Sequence, residues 1–138
     1  MKRMAMVVRD DGYDRLLTPL TFAFVQARKG VHVDILFTLW AVRALTEKHV
    51  GTLRISGVHA AEEPWLREQL ALSGSPVEIR DFLGMLKETG RVNLHACAIA
   101  SGVLGVTEKD LLPVAHGILH PSRFLEEKAL TADLCQYF

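Results

Sequence analysis

Cys97 is the side chain of this sequence best suited to covalent chemistry. It stands where an apolar run, Val92 to Cys97, gives way to Ala98–Leu104, a short stretch with helical character closed by Gly105. A thiol at a strand-to-helix junction meets unpaired amide N–H groups and the positive end of a helix dipole. Both favour the thiolate, which is the nucleophilic form. The competing reading is that Cys97 is simply a small apolar residue filling a core. Cys135 sits beside Leu134 and Tyr137 in an apolar stretch and reads as core. The two cysteines lack Cys-x-x-Cys spacing, which argues against a disulfide scaffold or a zinc knuckle and points to a reducing, cytoplasmic location.

Three histidines could assist. His95 lies two residues before Cys97 on the same strand and therefore points to the same face, while His116 and His120 fall in the segment after the next crossover. A His-x-Cys with two loop histidines could bind zinc or copper, but the tight paired spacing of such sites is missing, so no metal is assigned. His116 or His120 could instead donate a proton or pair with the thiolate, since imidazole titrates near neutrality. Thr38 and Trp40 close the second apolar run and would line a crevice beside Cys97. The alternative for Trp40 is packing beneath a helix. Arg9, Asp10 and Asp11 read as turn and surface residues. No Gly-x-Gly-x-x-Gly or Walker sequence follows the first strand, and Ser101 lacks the Gly-x-Ser-x-Gly setting of a hydrolase nucleophile, so no cofactor is expected.

The elements that must position these residues follow from hydrophobic periodicity. Met4–Arg9, Val31–Phe37 and Val92–Cys97 are nearly continuous apolar runs, the pattern of strands buried on both faces. Leu16, Leu17, Leu20, Ala23, Phe24 and Ala27 recur at helical spacing, with Pro19 suggesting a start near that point and Gly30 a stop. Residues 41 to 75 give mixed signals: Trp40–Lys48 has helical character, Leu53-Arg54-Ile55 suits a short strand, and Pro64–Leu72 a helix with proline in its first turn. Ile79, Phe82, Leu83 and Leu86 mark one face of a helix ending near Gly90. Thr107-x-x-Asp110 is a capping pattern. Pro121–Leu130 reads as the last helix and Ala132–Phe138 as the last strand. The alternation predicts a mostly parallel sheet with helices on both faces, with ligands at the carboxyl ends of the strands.

The 138 residues suit one domain, 1–138. Sixteen basic and sixteen acidic residues cancel, leaving no field to attract nucleic acid or anionic lipid and little repulsion between identical copies. The first residues briefly suggest a signal peptide, but Arg9, Asp10 and Asp11 interrupt it. No apolar run approaches the ~20 residues needed to span a membrane, so no membrane partner is expected.

The segment Gly90–Leu111, with Asn93-Leu94-His95-Ala96-Cys97 running into Ala98–Leu104, Gly105-Val106 and Asp110-Leu111, resembles the cysteine segment of the DsrE/DsrF-like sulfur-relay family, the YchN-like group. Val33–Trp40 is similar to that family's strand ending in an aromatic residue and Thr, and Ala132–Phe138 to its closing strand. The resemblance implies a single DsrE-like domain of flavodoxin-like three-layer α/β fold with a mostly parallel central sheet, assembly into homo-oligomers, and sulfur donor and acceptor proteins as partners. It also implies that Cys97 takes up sulfane sulfur as a persulfide and passes it to a partner thiol. Thr38, Trp40, His95, His116 and His120 would surround it. The alternative is a non-enzymatic oligomeric module binding a small ligand or metal, with Cys97 as a lining residue.

Overall fold

The computed structural model describes residues 1–138. The three apolar runs form β1 (Arg3–Val8), β2 (His32–Phe37) and β3 (Val92–Cys97), each almost wholly buried, which is why their sequences do not alternate. β4 (Gly117–Leu119) and β5 (Leu134–Tyr137) are shorter, partly exposed and form the two edges. All pairings are parallel, in the order β4-β3-β2-β1-β5.

That order decides where the helices lie. From β1 to β4 each step goes to the next strand in one direction, so right-handed crossovers bring α1 (Tyr13–Arg28), α3 (Ile79–Glu88) and α4 (Ala98–Leu104) to one face. The return from β4 to β5 crosses the sheet the other way and covers the opposite face. Side chains agree: Phe22 and Val25 of α1 line a groove with Met4, Leu134 and Gln136, whereas Phe124 and Lys128 reach His95 and Asp34, which leave the sheet on the other side. The result is a three-layer α/β fold of the flavodoxin-like kind. Its outer layers are unequal. The second face carries the short α5 (Pro121–Phe124), continued by one π-helical turn, Leu125–Ala129.

Several elements depart from their sequence expectation for physical reasons. α1 starts at Tyr13 and carries Pro19 within it. Tertiary bonds hold its first turn: the Tyr13 amide donates to the Arg54 carbonyl at 3.1 Å and the Tyr13 hydroxyl donates to the Val77 carbonyl. Leu53 and Ile55 are buried but form no strand, because the Ile55 amide donates to the Glu63 carboxylate at 2.7 Å instead of to a neighbouring strand. The segment after β2 is a 3₁₀ helix, Leu39–Leu45, and α2 (Glu63–Leu72) follows a second one, Gly57–Glu62. β4 was not foreseen: a strand of three residues beginning with glycine carries no alternation to read and exists through its pairing with β3.

Candidate functional site

Cys97 is the last residue of β3 and the N-cap of α4, with extended backbone (φ −63°, ψ 126°). α4 then ends as its glycine foretells, Gly105 taking the left-handed conformation (φ 69°) that closes a helix without a Cβ clash. The junction is therefore where the sequence puts it. The thiol, however, is not at an open cleft mouth: Cys97 keeps only 3% of its surface and belongs to the hydrophobic core. By register it lies beside Leu119 of β4. Cys135, read as core, is the more exposed of the two cysteines.

Thr38 follows Phe37, whose partner on β3 is Ala96, so Thr38 runs alongside Cys97. Its amide donates to the Val8 carbonyl at 2.9 Å, extending the sheet by one residue. The next residue, Leu39, has φ +49°, a conformation that is uncommon outside glycine and is kept only where the surroundings impose it. Trp40 is 47% exposed and does not pack under a helix; the Arg43 guanidinium lies 4.8 Å from its ring centre. Leu39, Trp40 and Ile99 of α4 are thus large apolar side chains left in solvent after the carboxyl ends of β2 and β3.

His95 belongs to a different constellation. It is buried, and its Nε2 donates to Asp34 Oδ1 at 2.9 Å. The same oxygen accepts from Asn93 Nδ2 at 3.2 Å and faces Lys128 Nζ at 3.7 Å. Burial alone would raise the Asp34 pKa, but the hydrogen bonds from His95 and Asn93 and the Lys128 charge outweigh it and hold the carboxyl below its ordinary range. The His116 ring meets His95 edge to face at 5.1 Å, and Phe124 closes over the pair at 6.3 Å from His95. Burial depresses the His116 pKa, as do the neighbouring His95 and the Lys87 and Lys128 charges, with Asp34 opposing them. Asp34 stands opposite Asn93, one step nearer the amino end than the same-face His95, so the imidazole bonds away from Cys97.

His120 joins neither group. Its Nδ1 accepts from the Ser122 amide at 3.2 Å and lies 2.9 Å from the Ser122 hydroxyl, capping α5. Of the expected residues, then, Thr38 runs beside Cys97, Trp40 stands at the rim, His95 and His116 meet each other, and His120 is spent on a cap. No three His, Cys, Asp or Glu side chains converge as metal ligands would. Asp34, Asn93 and Lys128 escaped the sequence reading. A signal existed for the first: an aspartate inside Val33-Asp34-Ile35-Leu36-Phe37 would be buried and must find partners. Nothing in the sequence pairs Lys128 with it.

No family model matches the chain and no curated protein does. Among solved structures, the chain is similar to one described as a protein of unknown function, MTH1491, from Methanobacterium thermoautotrophicum, with a TM-score of 0.60 and 11% identity over 99% of both chains. At that identity the likeness concerns the fold alone.

Proposed function

We propose that this protein is a sulfur carrier in which Cys97 accepts a sulfane sulfur and hands it to a partner thiol. The observation that carries the reading is the place of Cys97, at the junction of a central strand's carboxyl end with a helix, where parallel α/β sheets concentrate their chemistry. In the uptake step the Cys97 thiolate attacks the terminal sulfur of a donor persulfide, R–S–SH. The donor S–S bond breaks, R–S⁻ leaves, and Cys97 becomes Cys97–S–SH. In the second step an acceptor thiolate attacks that outer sulfur and releases the Cys97 thiolate, with no net oxidation. Both steps need only one reachable thiol. Leu39, Trp40 and Ile99 offer an acceptor protein apolar footing beside the junction.

The 3% exposure of Cys97 favours a second reading, a non-enzymatic module in which the cysteine packs the interior. One experiment separates the two. The protein is incubated with glutathione persulfide and its intact mass measured for wild type, Cys97→Ser and Cys135→Ser. Gain of one sulfur atom in wild type and Cys135→Ser but not in Cys97→Ser supports the carrier; equal loading of wild type and Cys97→Ser rules it out and leaves the module.

A further inference from the structure

The edge strand β5 and the helix beside it form an exposed surface with little to protect it from another strand. Phe138 donates its amide to the Val7 carbonyl and accepts from the Arg9 amide, so alternation turns Leu134 and Gln136 toward β1 as well. Cys135 and Tyr137 are left facing outward, and neither their amides nor their carbonyls have a hydrogen-bond partner outside regular sheet pairing. An open edge of this kind accepts another strand unless charge, proline or a bulge protects it. The residues of β5, Leu-Cys-Gln-Tyr, carry none of these.

The middle of the flanking helix is equally bare of charge, with Arg15 and Arg28 at its two ends. Along the outer side of α1 the exposed residues between Arg15 and Arg28, namely Thr18, Thr21, Phe22 and Val25, are all uncharged, in a chain with 23% charged residues. Phe22 and Val25 are 47% and 44% exposed although large and apolar. With Met4, Leu134, Gln26 and Gln136 they line a groove of about 470 Å³ running beside the β5 edge. Phe22 is held in place by an edge-to-face contact with Phe138 at 5.7 Å. Depletion of charge together with exposed aromatic residues marks the centre of homodimer interfaces.

We infer that two copies join through β5 about a twofold axis at Gln136, forming one continuous sheet. The identity of the occupant follows from the geometry of the edge. The missing partner must be a strand offering outward groups at alternate residues with no charge between them, and β5 itself is such a strand. Antiparallel pairing about Gln136 sets Cys135 against the partner's Tyr137 and Tyr137 against the partner's Cys135, satisfying every outward amide and carbonyl of both strands. It also places both α1 helices on the same face of the joined sheet, their Phe22 and Val25 side chains turned toward each other above Leu134 and Gln136. A zero formal net charge leaves little long-range repulsion to oppose the contact. The interface is small, so the dimer dissociates on dilution.

The test is sedimentation of the full chain across a concentration series, with three variants. Tyr137→Pro deletes one outward amide and no bond to β1, as edge strands tolerate. Phe22→Glu brings like charges together across the axis. Gln136→Cys, made with Cys97→Ser and Cys135→Ser, places a thiol on the axis itself. The expected results are a mass rising toward twice the 15.4 kDa of one chain, at least tenfold weaker association in the first two variants, and a disulfide-linked dimer on oxidation of the third. A single-chain mass at every concentration would overturn the inference and leave the edge to a strand from another protein. An assembly whose mass none of the variants alters would overturn it too. Neither result bears on sulfur loading of Cys97, so this inference and the carrier reading fail independently.

Discussion

Asp34 is the residue whose environment makes the sharpest demand. A carboxylate with three cationic or amide partners on one oxygen is stabilised in its charged form, and its folded-state pKa lies below the usual value. The sign of the linkage follows: the contribution is complete above the unfolded-state pKa of about 3.9 and is lost as pH falls through the folded value. Asp34→Asn should lower stability by about 2 kcal/mol at pH 7, because His95 and Lys128 lose a charged partner in a mostly buried place. Urea denaturation near pH 7 and again near pH 2 checks this. An equal gap between wild type and variant at both values would show that the Asp34 charge is not what matters. Ser101 poses the opposite case. Its hydroxyl is buried without a hydrogen-bond partner, so removing it relieves desolvation. Ser101→Ala should be neutral or stabilising by up to about 1 kcal/mol in the same assay; a clear loss would reveal a partner for the hydroxyl.

At the scale of elements, α5 and its π turn lie on the sheet face that carries Asp34, His95 and Cys97, where His116 also packs, and Phe124 is their fully buried anchor. Phe124→Ala should cost about 3 to 4 kcal/mol and loosen that cover. Native-state alkylation of Cys97, read in Cys135→Ser protein, should then be faster than in Leu20→Ala, a comparable core truncation under α1 on the opposite face. Equal rates in the two variants would mean that the thiol is reached by some other route. This element also shows how far sequence reasoning carries. Pro121 and the apolar spacing after it indicate a helix, but not that its second half widens into a π turn or that Lys128 and Phe124 on it reach Asp34 and His95. β1, β2, β3 and the Cys97 junction were readable because continuous apolar runs bounded by Gly30, Gly90 and Gly105 have few alternatives. β4 and the Asp34 cluster were not, because both are made by strands distant in sequence meeting in the sheet.

At the scale of the whole molecule, the burial pattern predicts where the fold resists opening. β1, β2 and β3 hold the fully buried Met6, Ile35 and Leu94, whereas the residues of β4 and β5 are partly buried or exposed. Amide exchange should be slowest in the three inner strands and distinctly faster in both edges; protection in β5 matching that of β2 in dilute, single-chain protein would contradict this ranking. The pairing of Met4 with Leu134 has a further effect during synthesis. One flank of β1 waits without a neighbour while the intervening chain emerges from the ribosome, since Leu134, the partner of Met4, is made long after it. Until then a growing chain displays an apolar ribbon open to stray annealing, and the final closure must span the longest loop the fold contains.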